Sequence, residues 1–369
     1  MSRAAPAPRL AARATGPAAR SAWGAAGRRA LDLLIALLQR LFELHNGLYR
    51  LTGLDRSLPT APPPVPPAEA AYGGEWGYLV SRSRCLFYRR WLPADEPRAA
   101  LLGIHGAGAH GGHFHVIGEY LAPRGFAFYS PDLPGHGLSE GERGAMHDTE
   151  QILAAMADGV ELVGRQHPGR PVFLLGESLG AIQALALAAS ASGGSRPAAL
   201  AGLVLSGPEL APRQTTPAPQ GTPFWRQAVP YLRYVLYGLC LSRWPVVDMT
   251  GREELVTRRP EQAEFSKRDP LRNNRLSIQT LIEAYRLICS AYRLARAVRL
   301  PTLILQAEAD LVTDPAAAQR LRDALAGPDR ELVYFRDARH GLFYDPDTPR
   351  VLATIVDWMG RYAPPGTEP

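Results

Sequence analysis

Residues 171–190 read PVFLLGESLGAIQALALAAS, which predicts a buried strand, a sharp turn and a helix in immediate succession. The turn is GESLG (176–180), a G-x-S-x-G pattern with Ser178 at its centre. Glycine is favoured on both sides of such a serine because the backbone there is crowded and strained. The helix begins beneath the serine, and its N-terminal dipole favours negative charge that develops there. Ser178 is therefore the candidate nucleophile.

Short apolar runs continue on both sides of this stretch and alternate with helical segments. Residues 75–92 contain two strand-like runs, of which the second ends in the alternating RCLFYRRWL (84–92). Further strands are predicted at AALLGI (99–104), FAFYS (126–130), PVFLLG (171–176), LAGLVLS (200–206), PTLILQA (301–307) and ELVYF (331–335). Buried strands separated by helices indicate an α/β fold with a mostly parallel central sheet and helices on both faces.

Residues 208–297 break this rhythm with helical patterns, YLRYVLYGL (231–239) and LSIQTLIEAYRLICSAYRL (276–294). We expect them to form a helical cap inserted between two halves of a core, residues 74–207 and 298–369. The cap is rich in aromatic side chains, which suit an apolar substrate pocket. Phe224, Trp225 and Tyr285 are its candidate substrate-binding residues, together with Glu177 beside the serine. The alternative is that these aromatic side chains form the cap's own core.

A serine hydroxyl is a weak nucleophile without a base. Asp310 ends the run LILQAEAD, and His340 follows the run ELVYF, so both stand after predicted strands, where open α/β sheets place their sites. His340 is the candidate base and Asp310 the candidate acid that orients it, with Glu308 as an alternative acid. The flanking Asp337 and Asp345 are expected at the surface or at a helix cap.

An oxyanion needs N–H donors that are already in place. The backbone N–H groups of Ala107, in the loop after AALLGI, and of Leu179, directly after the serine, are the candidates. The same loop holds GAGAHG (106–111), which matches G-x-G-x-x-G with Asp132 downstream and leaves open a dinucleotide-dependent oxidoreductase. It also holds His105, His110, His113 and His115, whose spacing matches no common zinc pattern, so no metal site is predicted.

Three blocks together resemble the monoacylglycerol lipase and lysophospholipase branch of the α/β-hydrolases: HGAGAHGGHF (105–114), SPDLPGHGLSEGERG (130–144) and HPGRPVFLLGESLGA (167–181). The resemblance runs from about residue 84 to 362, excluding much of the middle of the cap, where FSKRDPLR (265–272) resembles the corresponding segment of that family. It implies the α/β-hydrolase fold, a Ser178–His340–Asp310 triad, an oxyanion hole at Ala107 and Leu179, and no metal or cofactor. Glu177 departs from the histidine of the animal lipases, and Ala181 and Ala307 stand where glycine is frequent.

The function expected from these observations is a carboxylic ester hydrolase, of the lipase or esterase type, that cleaves monoacylglycerols, lysophospholipids or small esters through an acyl-enzyme. The alternatives are an acyltransferase with the same triad, an NAD(P)-dependent oxidoreductase and an inactive lipid-binding relative. Arg272, Arg275 and Arg286 are either phosphate head-group ligands or a solvated face of the cap.

Residues 1–73 form a separate N-terminal arm. Residues 1–67 hold nine arginines and three acidic residues, which accounts for the whole net charge of +6 and leaves a neutral body that excludes a nucleic-acid partner. Residues 31–50 predict an amphipathic helix and residues 59–67 (PTAPPPVPP) a proline-rich spacer. The helix suits peripheral contact with a membrane, or packing on the protein's own surface or in a dimer. We expect a cytoplasmic protein, with peripheral membrane association through this helix and organellar targeting by residues 1–30 both left open; no oligomeric state follows.

Overall fold

An eight-stranded sheet forms the centre of the protein in its computed structural model, which describes residues 72–82, 84–146, 148–191, 200–211 and 243–364. The strands of the chain are β1 (Glu75–Ser81), β2 (Arg84–Trp91), β3 (Ala99–Ile104), β4 (Phe126–Pro131), β5 (Val172–Glu177), β6 (Leu200–Ser206), β7 (Val247–Asp248), β8 (Arg275–Leu276), β9 (Thr302–Ala307) and β10 (Arg330–Phe335). The large sheet has the order β1-β2-β4-β3-β5-β6-β9-β10.

The sheet is mostly parallel, as predicted. β2 pairs antiparallel with both β1 and β4, and the remaining neighbours pair in parallel. Every residue of β3, β4, β5 and β9 is buried, as expected for strands that are covered on both faces. The carboxyl ends of the parallel strands therefore meet at one edge, from which the loops that carry the site emerge.

Helices cover both faces of the sheet. The α-helices of the described residues are α1 (His115–Leu121), α2 (Thr149–Gln166), α3 (Leu179–Ala191), α4 (Glu253–Val256), α5 (Pro260–Arg268), α6 (Ile278–Ala295), α7 (Ala316–Ala324) and α8 (Thr348–Gly360), of which α4 and α5 belong to the insertion rather than to the layers on the sheet. None of the helices in the described ranges is both long and apolar enough to cross a membrane.

Alternate side chains of the strands enter two separate hydrophobic clusters. On β3, Leu102 belongs to the cluster that includes residues of α2, α3, α6 and α7. Its neighbour Leu101 belongs to the other cluster, which includes residues of α1 and α8, among them the fully buried Trp358. Truncating a side chain as large as Trp358 to alanine costs about 3–5 kcal/mol, so each cluster holds its helix layer firmly on the sheet.

The chain between β6 and β9 is described at residues 207–211 and from residue 243 onward, and it contributes β7, α4, α5, β8 and α6. It bonds directly to loops of the core, because Asn273 N–H donates to the Gly108 carbonyl (2.8 Å) and Ser277 N–H to the Gly144 carbonyl (3.1 Å). The pattern at 276–294 corresponds to α6, whereas the pattern at 231–239 lies outside the described residues, as does the whole segment 31–50. The division into arm, core and cap stays a prediction.

Candidate active site

Ser178 lies between the last residue of β5 and the first residue of α3. Its φ is 55°, a left-handed backbone conformation that residues other than glycine rarely adopt. A Cβ atom added at Gly176 would overlap the Gly180 carbonyl, and one added at Gly180 would overlap the Ile104 carbonyl. Strand, turn and helix are thus packed so closely that only glycine fits on both sides of the serine, and the hydroxyl projects from the carboxyl edge of the sheet.

A continuous hydrogen-bonded chain links the three predicted residues. His340 Nε2 lies 2.9 Å from Ser178 Oγ, and His340 Nδ1 lies 2.8 Å from Asp310 Oδ2. Asp310 follows β9 and His340 follows β10, so adjacent parallel strands place the acid beside the base. The geometry is that of a nucleophile, a base within hydrogen-bond reach and a group that orients the base. The alternative acid, Glu308, is exposed at the surface.

Asp310 is held as a carboxylate by several donors. The backbone N–H groups of Val312 (2.7 Å) and Thr313 (2.9 Å) donate to Oδ1. The Thr313 hydroxyl (2.9 Å) and the Gln306 amide (3.0 Å) donate to Oδ2. Burial alone would raise the pKa of Asp310, but its bond to His340 and these donors lower it to about 2. Sequence reasoning missed Gln306 and Thr313, because only their position at the strand end marks them.

His340 is buried close to the carboxyl groups of three acidic residues. Burial opposes its charged form, yet the hydrogen bond and the charge of Asp310 raise its pKa above the ordinary value, with further contributions from the carboxyl groups of Glu177 and Glu209. This environment favours transient protonation of the imidazole, which a general base requires.

The loop after β3 approaches the serine closely. A Cβ atom at Gly106 would lie 3.2 Å from the Ser178 Cβ atom. Its neighbour Ala107 lines the same cleft as Ser178 and His340. Leu179 is the first residue of α3, so helix geometry leaves its N–H group without a partner inside the helix. Both predicted oxyanion donors therefore stand next to the serine, and their function stays a prediction.

A cleft opens above Ser178, with an empty volume of about 1060 Å³ that includes its solvent-open part. Glu177 lines it, and its function in substrate binding stays a prediction. Tyr285 lies on α6 and is not among the described lining residues. Phe224 and Trp225 lie outside the described residues. The wall that the insertion contributes comes mainly from residues 249–273 instead.

His110, His113 and Asp269 form a buried cluster within metal-binding distance of one another. Both Nε2 atoms lie 2.7 Å from Asp269 Oδ2. However, His110 Nδ1 accepts the N–H of Gly112 (3.1 Å), which assigns the ring proton to Nε2, the atom that would have to bind a metal unprotonated. The donor set does not fit a metal, and the cluster instead fastens the loop after β3 to the insertion.

Asp132 is not available to a ribose, as the dinucleotide alternative requires. It is fully buried, its Oδ1 accepts the N–H of Gly111 (2.7 Å), and its Oδ2 accepts the N–H of Leu138 (2.7 Å). The G-x-G-x-x-G loop therefore donates a hydrogen bond directly to the aspartate at the carboxyl edge of the sheet. In a dinucleotide-dependent oxidoreductase, the bound dinucleotide would lie between the two.

The expectation for Asp345 was wrong. It is fully buried, and it pairs with Arg258 of the insertion at 2.5 Å. Asp337 is exposed, as expected. Among the arginines considered for a head group, Arg272 lines the cleft but pairs with Glu253 (2.6 Å). Arg286 is exposed and pairs with Glu283 on its own helix.

Several known proteins are similar to this chain in sequence and in fold. The family described as "Serine aminopeptidase, S33" matches residues 95–347. Human monoglyceride lipase is 29% identical over 286 residues, which cover 76% of this chain and 89% of the lipase. Monoacylglycerol lipase of Mycolicibacterium smegmatis is 25% identical, and the alignment covers 74% of this chain and 92% of that lipase. The crystal structure of Paleococcus ferrophilus monoacylglycerol lipase aligns with a TM-score of 0.63 and 26% identity, over 75% of this chain and 99% of that one.

Proposed function

Because the chain belongs to the serine aminopeptidase S33 family of α/β-hydrolases, we propose that it is a serine hydrolase that cleaves monoacylglycerols through an acyl-enzyme. The observation that carries the proposal is the hydrogen-bonded chain from Ser178 through His340 to Asp310. Relatives from an animal, a bacterium and an archaeon are named for this activity, and their similarity spans most of both chains.

Acylation begins when His340 Nε2 takes the proton of Ser178 Oγ while that oxygen attacks the ester carbonyl carbon. Asp310 holds the imidazole in the tautomer whose Nε2 is free, and its charge stabilises the imidazolium that forms. The tetrahedral intermediate then collapses, the ester C–O bond breaks, and His340 gives its proton to the departing alcohol oxygen. The acyl group is left on Ser178.

The negative charge of the tetrahedral intermediate falls on the former carbonyl oxygen. We assign the N–H groups of Ala107 and Leu179 to that oxygen, at the N-terminus of α3, where the helix dipole adds to their effect. Deacylation repeats the sequence with water as the nucleophile and releases the fatty acid. No step needs a metal or a redox cofactor.

Peripheral membrane contact through residues 31–50 is part of the same proposal, because monoacyl lipids partition into membranes. A wide apolar helix face behind an arginine-rich segment suits the lipid interface. Deletion of residues 1–58 is expected to abolish sedimentation with liposomes that contain anionic phospholipid while hydrolysis of water-soluble esters continues. Unchanged sedimentation after the deletion would reject the contact.

The proposed activity is tested with purified protein on a chain-length series of monoacylglycerols and p-nitrophenyl esters, beside Ser178→Ala. We expect hydrolysis by the wild type and a loss of several orders of magnitude in the variant, as for removal of a triad nucleophile. A Ser178→Ala variant that retains the wild-type rate would reject the assignment.

A further inference from the structure

Only one of the two carboxyl oxygens of Glu177 accepts a hydrogen bond from the described residues. Its side chain is 5% exposed and lines the cleft beside Ser178. The Tyr344 hydroxyl donates to Oε2 at 3.0 Å. Oε1 is buried and accepts no hydrogen bond from the described residues. One carboxylate oxygen of a cleft-lining residue is thus buried without a donor from the described residues, directly next to the nucleophile in the chain.

A buried carboxylate oxygen without a donor is costly, because the group has lost water and gained nothing in return. In keeping with this cost, burial raises the pKa of Glu177 to about 7, against the opposing influences of His340 and Tyr344. Since Glu177 lines the cleft, a substrate whose donor reaches this oxygen relieves the cost, whereas a substrate without a donor leaves it in place.

The charged groups around the cleft decide which donor fits. His340 and Tyr344 face Glu177 directly, and His113 lies beyond Tyr344, with ring centroids 6.1 Å apart. Arg252 and Arg272 line the same cleft together with Glu209 and Glu253, and Arg272 pairs with Glu253, so these opposite charges largely offset each other. A monoacylglycerol, the substrate of the proposed function, brings neutral hydroxyl groups, which suit this nearly balanced set of charges.

On a monoacyl lipid the acyl chain carries no donor, so the hydroxyl belongs to the alcohol portion of the ester. We propose that Glu177 recognises a free hydroxyl group on that portion, and that the enzyme thereby selects esters of polyols over equally large esters whose alcohol carries no donor. The inference rests on the proposed ester hydrolysis and assigns the residue that determines the alcohol specificity.

A donor to Oε1 stabilises the ionised form of Glu177, so binding of a polyol ester and loss of the carboxyl proton favour each other. Below pH 7 the hydroxyl meets a mostly protonated carboxyl group, and above pH 7 it meets the anion, which is the stronger acceptor. The preference for polyol esters is therefore expected to increase as the pH rises through about 7.

The test compares two substrates with the same acyl chain: a 1-monoacylglycerol and its analogue with both free hydroxyls methylated. The ratio of their kcat/KM values is measured in the wild type, in Glu177→Gln and Glu177→Leu, and in Glu308→Gln, a matched change of an exposed carboxylate that is not among the residues lining the cleft. We expect the ratio to fall about 10- to 100-fold in Glu177→Leu, the range of a hydrogen bond to a charged group, and less in Glu177→Gln. In Glu308→Gln it should stay within about threefold of the wild-type ratio, because an exposed carboxylate outside the cleft does not contact the substrate.

The pH profile of the wild-type ratio gives a second readout that needs no variant. A ratio that rises through neutral pH supports the proposal, and a flat profile overturns it even if the Glu177 variants fail to fold. An unchanged ratio in active Glu177 variants overturns it as well, while hydrolysis of both esters leaves the proposed function standing. If the wild type hydrolyses neither ester, the proposed function fails, and the assignment of Glu177 fails with it.

Discussion

The Oγ atom of Ser178 lies 2.9 Å from the Nε2 atom of His340, although the two residues are 162 positions apart in the chain. The contact exists because β5, β9 and β10 run in the same direction and end at one edge of the sheet. Each strand end contributes one chemical group, and the sheet between them is buried and rigid. The sheet therefore fixes the distance between the two side chains. Substitutions of the triad residues are expected to change the reaction rate more than the stability of the fold.

Asp310→Asn should lower kcat by about 10²–10⁴-fold with little change in KM, because an amide in place of the carboxylate no longer fixes the reactive tautomer of His340 or stabilises its charged form. Steady-state hydrolysis of a p-nitrophenyl ester measures the loss. Glu308→Gln is the matched control, since Glu308 is an exposed acid two positions away, and it should retain nearly the wild-type rate. An equal loss in both variants would contradict the assignment of the acid.

Glu177→Gln should move the acidic limb of the kcat/KM profile to lower pH. The negative charge of Glu177 contributes to the raised pKa of His340, so its removal lowers that pKa and keeps the base unprotonated in more acidic solution. The profile is recorded with an ester that has no free hydroxyl group, which separates this effect from substrate recognition. A limb that moves to higher pH would show that the carboxyl group does not act on His340 in this way.

Gly180→Ala should lower the free energy of unfolding by about 1–3 kcal/mol, because the new methyl group overlaps the carbonyls of Ile104 and His105. Gly164→Ala is the control: it lies near the C-terminal end of α2, nothing is within 4 Å of its added Cβ, and alanine should stabilise the helix by up to about 1 kcal/mol. Urea unfolding measures both. Equal stability of the two variants would mean that the turn around Ser178 is looser than described.

Arg258→Ala should destabilise the protein by about 2 kcal/mol, since it leaves the fully buried Asp345 without its cation. Arg286→Ala removes an exposed pair on one helix and should cost about 0.5 kcal/mol or less. Thermal unfolding of the two variants, side by side, tests the contrast. A larger loss from Arg286→Ala would contradict the view that Asp345 fastens the insertion to the core.

The sequence was sufficient to predict the residues of the site that directly follow strands. Ser178, Asp310 and His340 each follow an apolar run, and parallel strands bring such ends together, so their proximity was predictable. The partners of these residues were not predictable, because they depend on three-dimensional packing. Tyr344 reaches Glu177 across 167 positions, and no local pattern marks either as a partner of the other.

The error for Asp345 has the same origin. An aspartate near a helix start usually caps the helix or faces solvent, and the sequence shows no difference between that case and a buried ion pair. The cation, Arg258, lies 87 positions earlier, in an insertion whose placement on the core the sequence does not specify. The histidine-rich loop is a similar case, since its sequence gives no indication that Asp269, more than 150 positions later, bonds to both His110 and His113.

Ser178 is the proposed nucleophile, and His340 is the base that activates it. This assignment is tested by labelling the full-length protein with a fluorophosphonate probe, followed by peptide mass spectrometry. We expect one phosphonate per chain, located on Ser178, with labelling abolished in Ser178→Ala and slowed by orders of magnitude in His340→Ala. Labelling of another serine, or rapid labelling in the absence of His340, would contradict it.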